Sequence, residues 1–403
     1  MKRDFISIDD VSNAALHRLM EAADRIRDDL RSHMSDLAGY LMGSLFLEPS
    51  TRTRLSFEAA MARLGGRVIT SSDPLSSSSS KGETLSDTVR IVDSYVDVTV
   101  LRHPMAGAAR LAARHAEHPI INAGDGAHEH PTQTLCDLYA LRCERGALEN
   151  LLVVLYGDLK FGRTVHSLSK ALVRMGATVL AIAEDRLGLP EALVEELGDV
   201  PGYRTVPVSI GDMESLFRKP QVPALWIGRR EPPYAPGAAS CERRNITMEE
   251  LRVDAIYVTR LQKERLVGDS PNGRSLPILD HRFMGASPFA QSVVLHPLPR
   301  VEEIAREMDR DPRAAYFRQA AQGVPIRMAL LSWVCGALDL PGARGEFSRS
   351  EPSLIEGYRC SNPRCVVAQP EEGLAEEVAR SARGRPICLF CEEPAQEIHE
   401  RNL

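Results

Sequence analysis

No stretch of the 403-residue chain approaches the roughly 20 continuous apolar residues that cross a bilayer, so no membrane-spanning helix is expected. The start, MKRDFISIDD, lacks the apolar core of a signal peptide, and the expected compartment is the cytoplasm. There is no surplus of positive charge either. A formal charge of −6 argues against whole-chain affinity for nucleic acid or an acidic membrane. Any anion site must therefore be local, made by a few placed cations. Aromatic residues are sparse at 5%, yet 43% apolar residues is ordinary for a globular protein. The glycine spacing in VVLYGDLKFGRTVHSLSKAL (153–172) matches neither a dinucleotide fingerprint nor a P-loop. No triad-like nucleophile stands out, and this part of the chain holds no metal-ligand set.

What is present is an alternation of apolar strand-like runs with helical periods. YLMGSLFL (40–47), VDVTVL (96–101) and PIINAG (119–124) read as buried strands. Phe57, Met61 and Leu64 recur at helical spacing before Gly65-Gly66, as do Leu135, Leu138 and Leu141 after Pro131. A second cycle opens at NLLVVLYGD (150–158), with a helix carrying Val165, Leu168, Leu172 and Met175 on one face. TVLAIA (178–183), ALWIG (224–228), AIYVTR (255–260) and SVVLHPLPR (292–300) repeat the pattern. The class predicted is α/β, with two doubly wound parallel-sheet domains at 1–148 and 149–299. Residues 300–340 are expected to carry a helix that packs back on the first domain, and 341–403 to form a small C-terminal β domain. The serine run in SSDPLSSSSSKGETLSDT (71–88) has the composition of a spacer, but it ends in Lys81.

Several cations stand at predicted strand ends. In FLEPSTRTRLSFE, Ser50 can cap a helix whose first turn holds Thr51, Arg52 and Thr53. Free N–H groups, hydroxyls and a guanidinium there suit a phosphate; the alternative is an ordinary capped helix. Arg102 follows another strand, where an ion-pair partner is the alternative reading. NAGDGAHEHPTQTL brings His130 to a helix that starts at Pro131, with Gln133 one turn in. Arg163 begins the helix of the second cycle, and Arg260 and Gln262 follow a later strand. LHPLPR supplies prolines that can turn the carbonyls of Leu298 and Pro299 toward a ligand. Together these predict a cleft for polyanionic small substrates, with chemistry resting on positioning and electrostatic stabilisation.

The tail carries Cys360-x4-Cys365, a 22-residue gap and Cys388-x2-Cys391. Four thiolates on two knuckles suit one structural zinc, and a reducing compartment disfavours disulfides. A nucleic-acid or protein-docking zinc module is the alternative for this segment. Eight arginines, no lysine and eleven glutamates give it a charge of −3, which argues against a phosphate-backbone partner.

These motifs, from Ser50-Thr51-Arg52-Thr53-Arg54 and Lys81-Gly82-Glu83-Thr84 to His130-Pro131-Thr132-Gln133 and Gly162-Arg163-Thr164, resemble the carbamoyltransferases. TRLQKER and VVLHPLPRVEEI narrow the resemblance to the aspartate carbamoyltransferase catalytic chain, over roughly residues 1–340. The resemblance implies transfer of the carbamoyl group of carbamoyl phosphate to L-aspartate, in pyrimidine biosynthesis. It implies that Ser50, Thr51, Arg52, Thr53 and Arg102 hold the phosphate and that His130 bonds the carbonyl oxygen. Gln133, Leu298 and Pro299 would orient the carbamoyl NH2, and Arg163 and Arg260, with Gln262, the aspartate carboxylates. Ser77 and Lys81 would lie on a loop entering a neighbouring subunit's site, in a homotrimer with shared active sites. Glu48, Arg163 and Arg265 occupy positions used for closure contacts. An ornithine carbamoyltransferase is the rival, disfavoured because Arg260 would face ornithine's ammonium. The tail resembles the zinc domain of the separate regulatory chain without its nucleotide-binding half, so no ATP or CTP site is expected.

Overall fold

The computed structural model describes residues 2–71, 82–183, 187–190, 193–194, 197, 252–262, 277–285, 287–340, 353–381 and 384–398. Ser77, Lys81, Arg265 and the strand expected at 224–228 lie outside the described residues. The chain divides into two compact units, Met1–Cys136 with Gln322–Leu403, and Asp137–Ala321.

In the first unit, α1 (Asn13–Asp28) starts at Ser12, whose hydroxyl accepts the Ala15 N–H at 3.2 Å. Leu16, Leu19, Ala23 and Ile26 recur at three- and four-residue steps and are buried. The elements β1 (Leu41–Phe46), α2 (Thr51–Arg63), β2 (Arg67–Ser71), α3 (Leu85–Asp93), β3 (Val98–His103), α4 (Ala108–His115), β4 (Ile120–Asp125) and α5 (Pro131–Arg145) follow. The four strands pair in parallel in the order β2-β1-β3-β4. β1 and β3 lie inside and read as near-continuous apolar runs, as strands covered on both faces must. The edge strand β2 is largely exposed. Because the strands are parallel, the segments leading to Ser50, Arg102 and His130 all leave the sheet at its carboxyl end.

The second unit has the same design. It comprises β5 (Leu152–Tyr156), α6 (Arg163–Arg174), β6 (Thr178–Ile182), β7 (Ala255–Val258), α7 (His281–Met284) and β8 (Val293–Leu295). Its parallel order is β6-β5-β7-β8. Val154, Tyr156, Ile256, Val258 and Val294 form its core with Phe283 and Phe289, whose rings stack at 4.9 Å. The long helix α8 (Tyr316–Val334) runs past the division between the units, which falls after Ala321.

The tail is of another kind. β9 (Tyr358–Cys360) pairs antiparallel with β12 (Ala395–Glu397), and β10 (Val378–Arg380) with β11 (Pro386–Cys388). It belongs to the first unit: Val366, Val367 and Phe390 share an apolar cluster with Leu85 and Val89 of α3 and Ala108, Leu111 and Ala112 of α4.

Candidate active site and metal centre

At the carboxyl end of β1 the chain turns at Ser50, the N-cap residue of α2, with an extended backbone (φ −161°). Its side chain makes no cap hydrogen bond, so the expected capping contact is not formed and the hydroxyl is not committed to the helix. Thr51, Arg52 and Thr53 occupy the first turn, where backbone N–H groups have no intrahelical acceptor. Thr53 is buried and Arg52 exposed, and among the described residues no carboxylate pairs with Arg52. The sheet register sets Phe46 beside Arg102, so the Ser50–Thr53 turn and Arg102 leave neighbouring strands.

Arg102 is held on three sides. Its guanidinium pairs with Glu48 at 3.0 Å, donates to the Ala123 carbonyl at 3.2 Å and stands 3.4 Å from His130 Nε2. Glu48, expected in closure contacts, is thus engaged with Arg102 inside the first unit. His130 is 3% exposed and precedes Pro131, the first residue of α5. Its carbonyl accepts the Gln133 and Thr134 N–H groups, which fixes the helix start, and its Nδ1 lies 3.3 Å from Thr132 Oγ1. Gln133 sits in that first turn, half-buried. Before it, buried Asp125 accepts the Gly107 N–H at 2.8 Å and the Asn122 amide at 3.0 Å, tying the end of β4 to the segment after β3. In that segment His103 accepts the Met105 N–H through Nδ1, and burial pushes its imidazole down to about 4, hence neutral.

In the second unit, buried Asp158 organises the loops after β5 and β7. Its carboxylate accepts the Phe161 N–H at 3.0 Å and the Gln262 N–H at 3.1 Å. Gly157 has φ +122°, and a Cβ there would lie 2.3 Å from the Thr259 carbonyl, so only glycine fits this approach of the two strand ends. Arg163 begins α6 and is buried, while Arg260 is partly exposed and reaches the Leu261 carbonyl at 3.4 Å. The Gln262 side-chain amide donates to the Phe161 carbonyl at 2.6 Å. After β8, Leu298 adopts φ +55°, unusual for a branched residue, and the Leu298–Pro299 peptide is cis. Buried His296 accepts the Leu298 N–H at 2.7 Å through Nδ1, and its Nε2 meets Glu303 at 2.7 Å. Burial favours the neutral Glu303 acid, but His296 and nearby backbone N–H groups outweigh it and hold the carboxyl at about 2.

Asp158, His296, Glu303 and Asp125 were not anticipated from the sequence. Asp125 and Asp158 each also reach a segment distant in sequence, which no local motif encodes, although YGD after a buried strand was a usable signal for Asp158. His296 and Glu303 lie within VVLHPLPRVEEI, where their mutual contact was not read.

The four tail cysteines converge, their sulfurs all within 4.8 Å of one another. Cys360 and Cys391 are 3.5 Å apart, and Cys365 and Cys388 3.9 Å; all four are free thiols. Tetrahedral ligation with metal–sulfur distances of about 2.3 Å puts sulfurs about 3.8 Å apart, so the set fits a zinc ion. A second grouping, His128, Glu129 and Glu392, is engaged otherwise. Ser7 bonds Glu129 at 2.9 Å and Arg110 pairs with Glu392 at 3.2 Å. It reads as an ion-pair network.

Two α/β units that each place a cation at a helix start beyond a strand end are the architecture of an enzyme of charged small molecules. The family models for the aspartate/ornithine carbamoyltransferase carbamoyl-phosphate-binding domain and Asp/Orn-binding domain match residues 3–143 and 243–334. The aspartate carbamoyltransferase catalytic subunit of Thermococcus onnurineus is 41% identical, with 84% of this chain and 98% of that one covered. The catalytic subunit of M. jannaschii aspartate transcarbamoylase superposes with a TM-score of 0.66 at 36% identity, covering 83% of this chain and 98% of that one. Aspartate transcarbamoylase of Trypanosoma cruzi, in complex with carbamoyl aspartate and phosphate, gives 0.67 at 36% identity, covering 82% and 95%. The chain belongs to the aspartate/ornithine carbamoyltransferase family and, within it, to the aspartate carbamoyltransferase catalytic subunits. Residues 335–403 lie outside both family models.

Proposed function

We propose that this chain transfers the carbamoyl group of carbamoyl phosphate to the amine of L-aspartate, giving N-carbamoyl-L-aspartate and phosphate, a step of pyrimidine biosynthesis. The observation that carries it is 41% identity to an aspartate carbamoyltransferase catalytic subunit over 98% of that subunit's length. The aspartate nitrogen attacks the carbamoyl carbon, the bond from that carbon to the phosphate oxygen breaks, and the amine proton leaves with the phosphate. Ser50, Thr51, Arg52 and Thr53 hold the phosphate at the start of α2, joined by Arg102, Ser77 and Lys81. His130 stabilises the carbonyl oxygen as negative charge grows on it. Gln133 and the carbonyls of Leu298 and Pro299 orient the carbamoyl NH2. Arg163 and Arg260 bind the two aspartate carboxylates with Gln262 and Lys81. Every role is electrostatic or positional, and one such donor is typically worth ~10²–10³ in rate. Support for aspartate over ornithine comes from Arg260, whose charge suits a second carboxylate and repels an ammonium.

The working unit in this reading is a cytoplasmic homotrimer with shared sites, and Cys360, Cys365, Cys388 and Cys391 hold one structural zinc that folds the tail. Purified protein should form carbamoylaspartate and only traces of citrulline; citrulline as the main product would reverse the substrate assignment. Mixing inactive Lys81→Ala chains with inactive Arg52→Ala chains should restore part of the activity, since shared sites regain one intact copy. Mixtures that stay inactive would exclude sharing.

A further inference from the structure

We propose that the four-cysteine tail supports catalysis through Glu392, a positioning residue for the turn that presents His130. The inference rests on the carbamoyltransferase reading above. Arg102 and His130 stand next to two segments, residues 103–107 and 125–129, and the tail grips both. The Ala106 N–H donates to the Arg364 carbonyl at 2.9 Å, and the Ala106 carbonyl accepts the Val366 N–H at 3.0 Å. Gly107, at φ +82°, lies so close to Phe390 that a Cβ would stand 2.7 Å from that residue's Cβ.

The second grip is ionic. Glu392 pairs with Arg110 of α4 at 3.2 Å and lies 3.7 Å from His128 Nε2. The other face of that imidazole, Nδ1, is 3.1 Å from Asp125. Asp125 in turn accepts the N–H groups of Gly107 and Glu129. A row of carboxylate, imidazole and carboxylate therefore runs from the tail to a point two residues before His130; Asp125 is buried and the His128 side chain is 8% exposed. Removing the Glu392 charge leaves both the Arg110 guanidinium and the His128 imidazole short of one carboxylate partner, a costly arrangement that a turn relieves by shifting. Displacements of about 1 Å at a reacting group can cost ~10²-fold in rate. Neutralising one outer member should cost less, about tenfold.

The test is Glu392→Gln in the full chain, with zinc content, kcat, KM for aspartate and inhibition by inorganic phosphate measured together. The four cysteines are untouched, so zinc should be retained. Phosphate binds at the start of α2, so its inhibition should be unchanged while kcat falls about tenfold. His128→Gln should lower kcat by a similar factor. The double variant should fall no further than either single one, since the two residues act on each other. Glu397→Gln, on the exposed strand β12, should keep wild-type values. Zinc-loaded Glu392→Gln with kcat within about twofold of wild type would overturn the inference. So would phosphate inhibition that weakens in step with kcat, which would mean general damage. A wild-type chain inactive toward aspartate would overturn the carbamoyltransferase reading itself, and this inference with it.

Discussion

Within the first unit, the sheet β2-β1-β3-β4 and the tail beside it are stabilised by different means. The inner strands of the sheet are covered on both faces, and Phe5, Phe46, Phe57 and the apolar face of α1 bury large side chains around it. Each such side chain contributes about 1.5–3 kcal/mol. The tail has strands of three residues, and its buried side chains are mainly Val366, Val367, Val378, Phe390 and cysteines. Several of these are buried by α3 and α4 as much as by one another. Its remaining attachments are polar. Glu372 accepts the Leu85 N–H at 2.6 Å and the Ser86 hydroxyl at 2.8 Å, capping α3 from outside. Arg114 meets Glu377 through two bonds of 2.6 and 2.7 Å while its guanidinium lies over Phe390. The body is a fold that packs itself, whereas the tail leans on its cluster of four cysteines and on the body's surface.

The largest effect that would sharpen this contrast is expected from Cys388→Ser. With a ligand gone the tail should lose its zinc and its fold, so that metal analysis finds none and a protease removes the tail. The sheet should survive as a protected fragment. Digestion of the whole chain would show instead that the body depends on the tail for its fold.

Arg52→Ala works the other way round. Turnover should fall ~10²–10³-fold with zinc content unchanged, because in the proposed mechanism that guanidinium acts on the phosphate and not on the tail.

A pH titration probes the junction. Burial alone would lower the pKa of His128, but Asp125 and Glu392, with Glu393 nearby, outweigh it and raise the imidazole to about 10. A folded pKa above the unfolded value of 6.5 means the contribution is complete below pH 6.5 and is lost as pH rises through about 10. Proteolysis of the tail should therefore quicken between those limits, and His128→Gln should flatten the profile.

The smallest effect is expected from Gly107→Ala. The new methyl would meet Phe390 and the residue would sit at positive φ, costing about 1–3 kcal/mol. The loss should show as a lower melting temperature and looser tail docking, with the cysteine site intact.

Much of the body was legible in the sequence, since buried parallel strands are apolar runs and their ends carry the unusual residues. YLMGSLFL announced β1, and STRTR after it announced the start of α2. The edge strand β2 was not seen, because Arg67–Ser71 is mostly exposed and shows neither a buried run nor a clean alternation. The residues that shape the site's turns were hidden for another reason. Glu48 on Arg102 and Asp158 under Gln262 are contacts between chain segments, and nothing local distinguishes those acids from solvated ones. The tail's cysteine spacing was plain, but its negative charge was read only as an argument against nucleic acid. In the fold, Glu372, Glu377 and Glu392 face α3, α4 and the turn before His130.

The backbone pairing of Ala106 with Arg364 and Val366 joins positions about 260 residues apart on a single polypeptide. A tethered partner meets its site at an effective concentration fixed by the intervening chain, often in the millimolar range, and not by the amount of protein present. Dilution, which separates subunits held only by mass action, leaves this attachment unchanged. The fraction of chains with the tail on α3 and α4 is therefore independent of expression level.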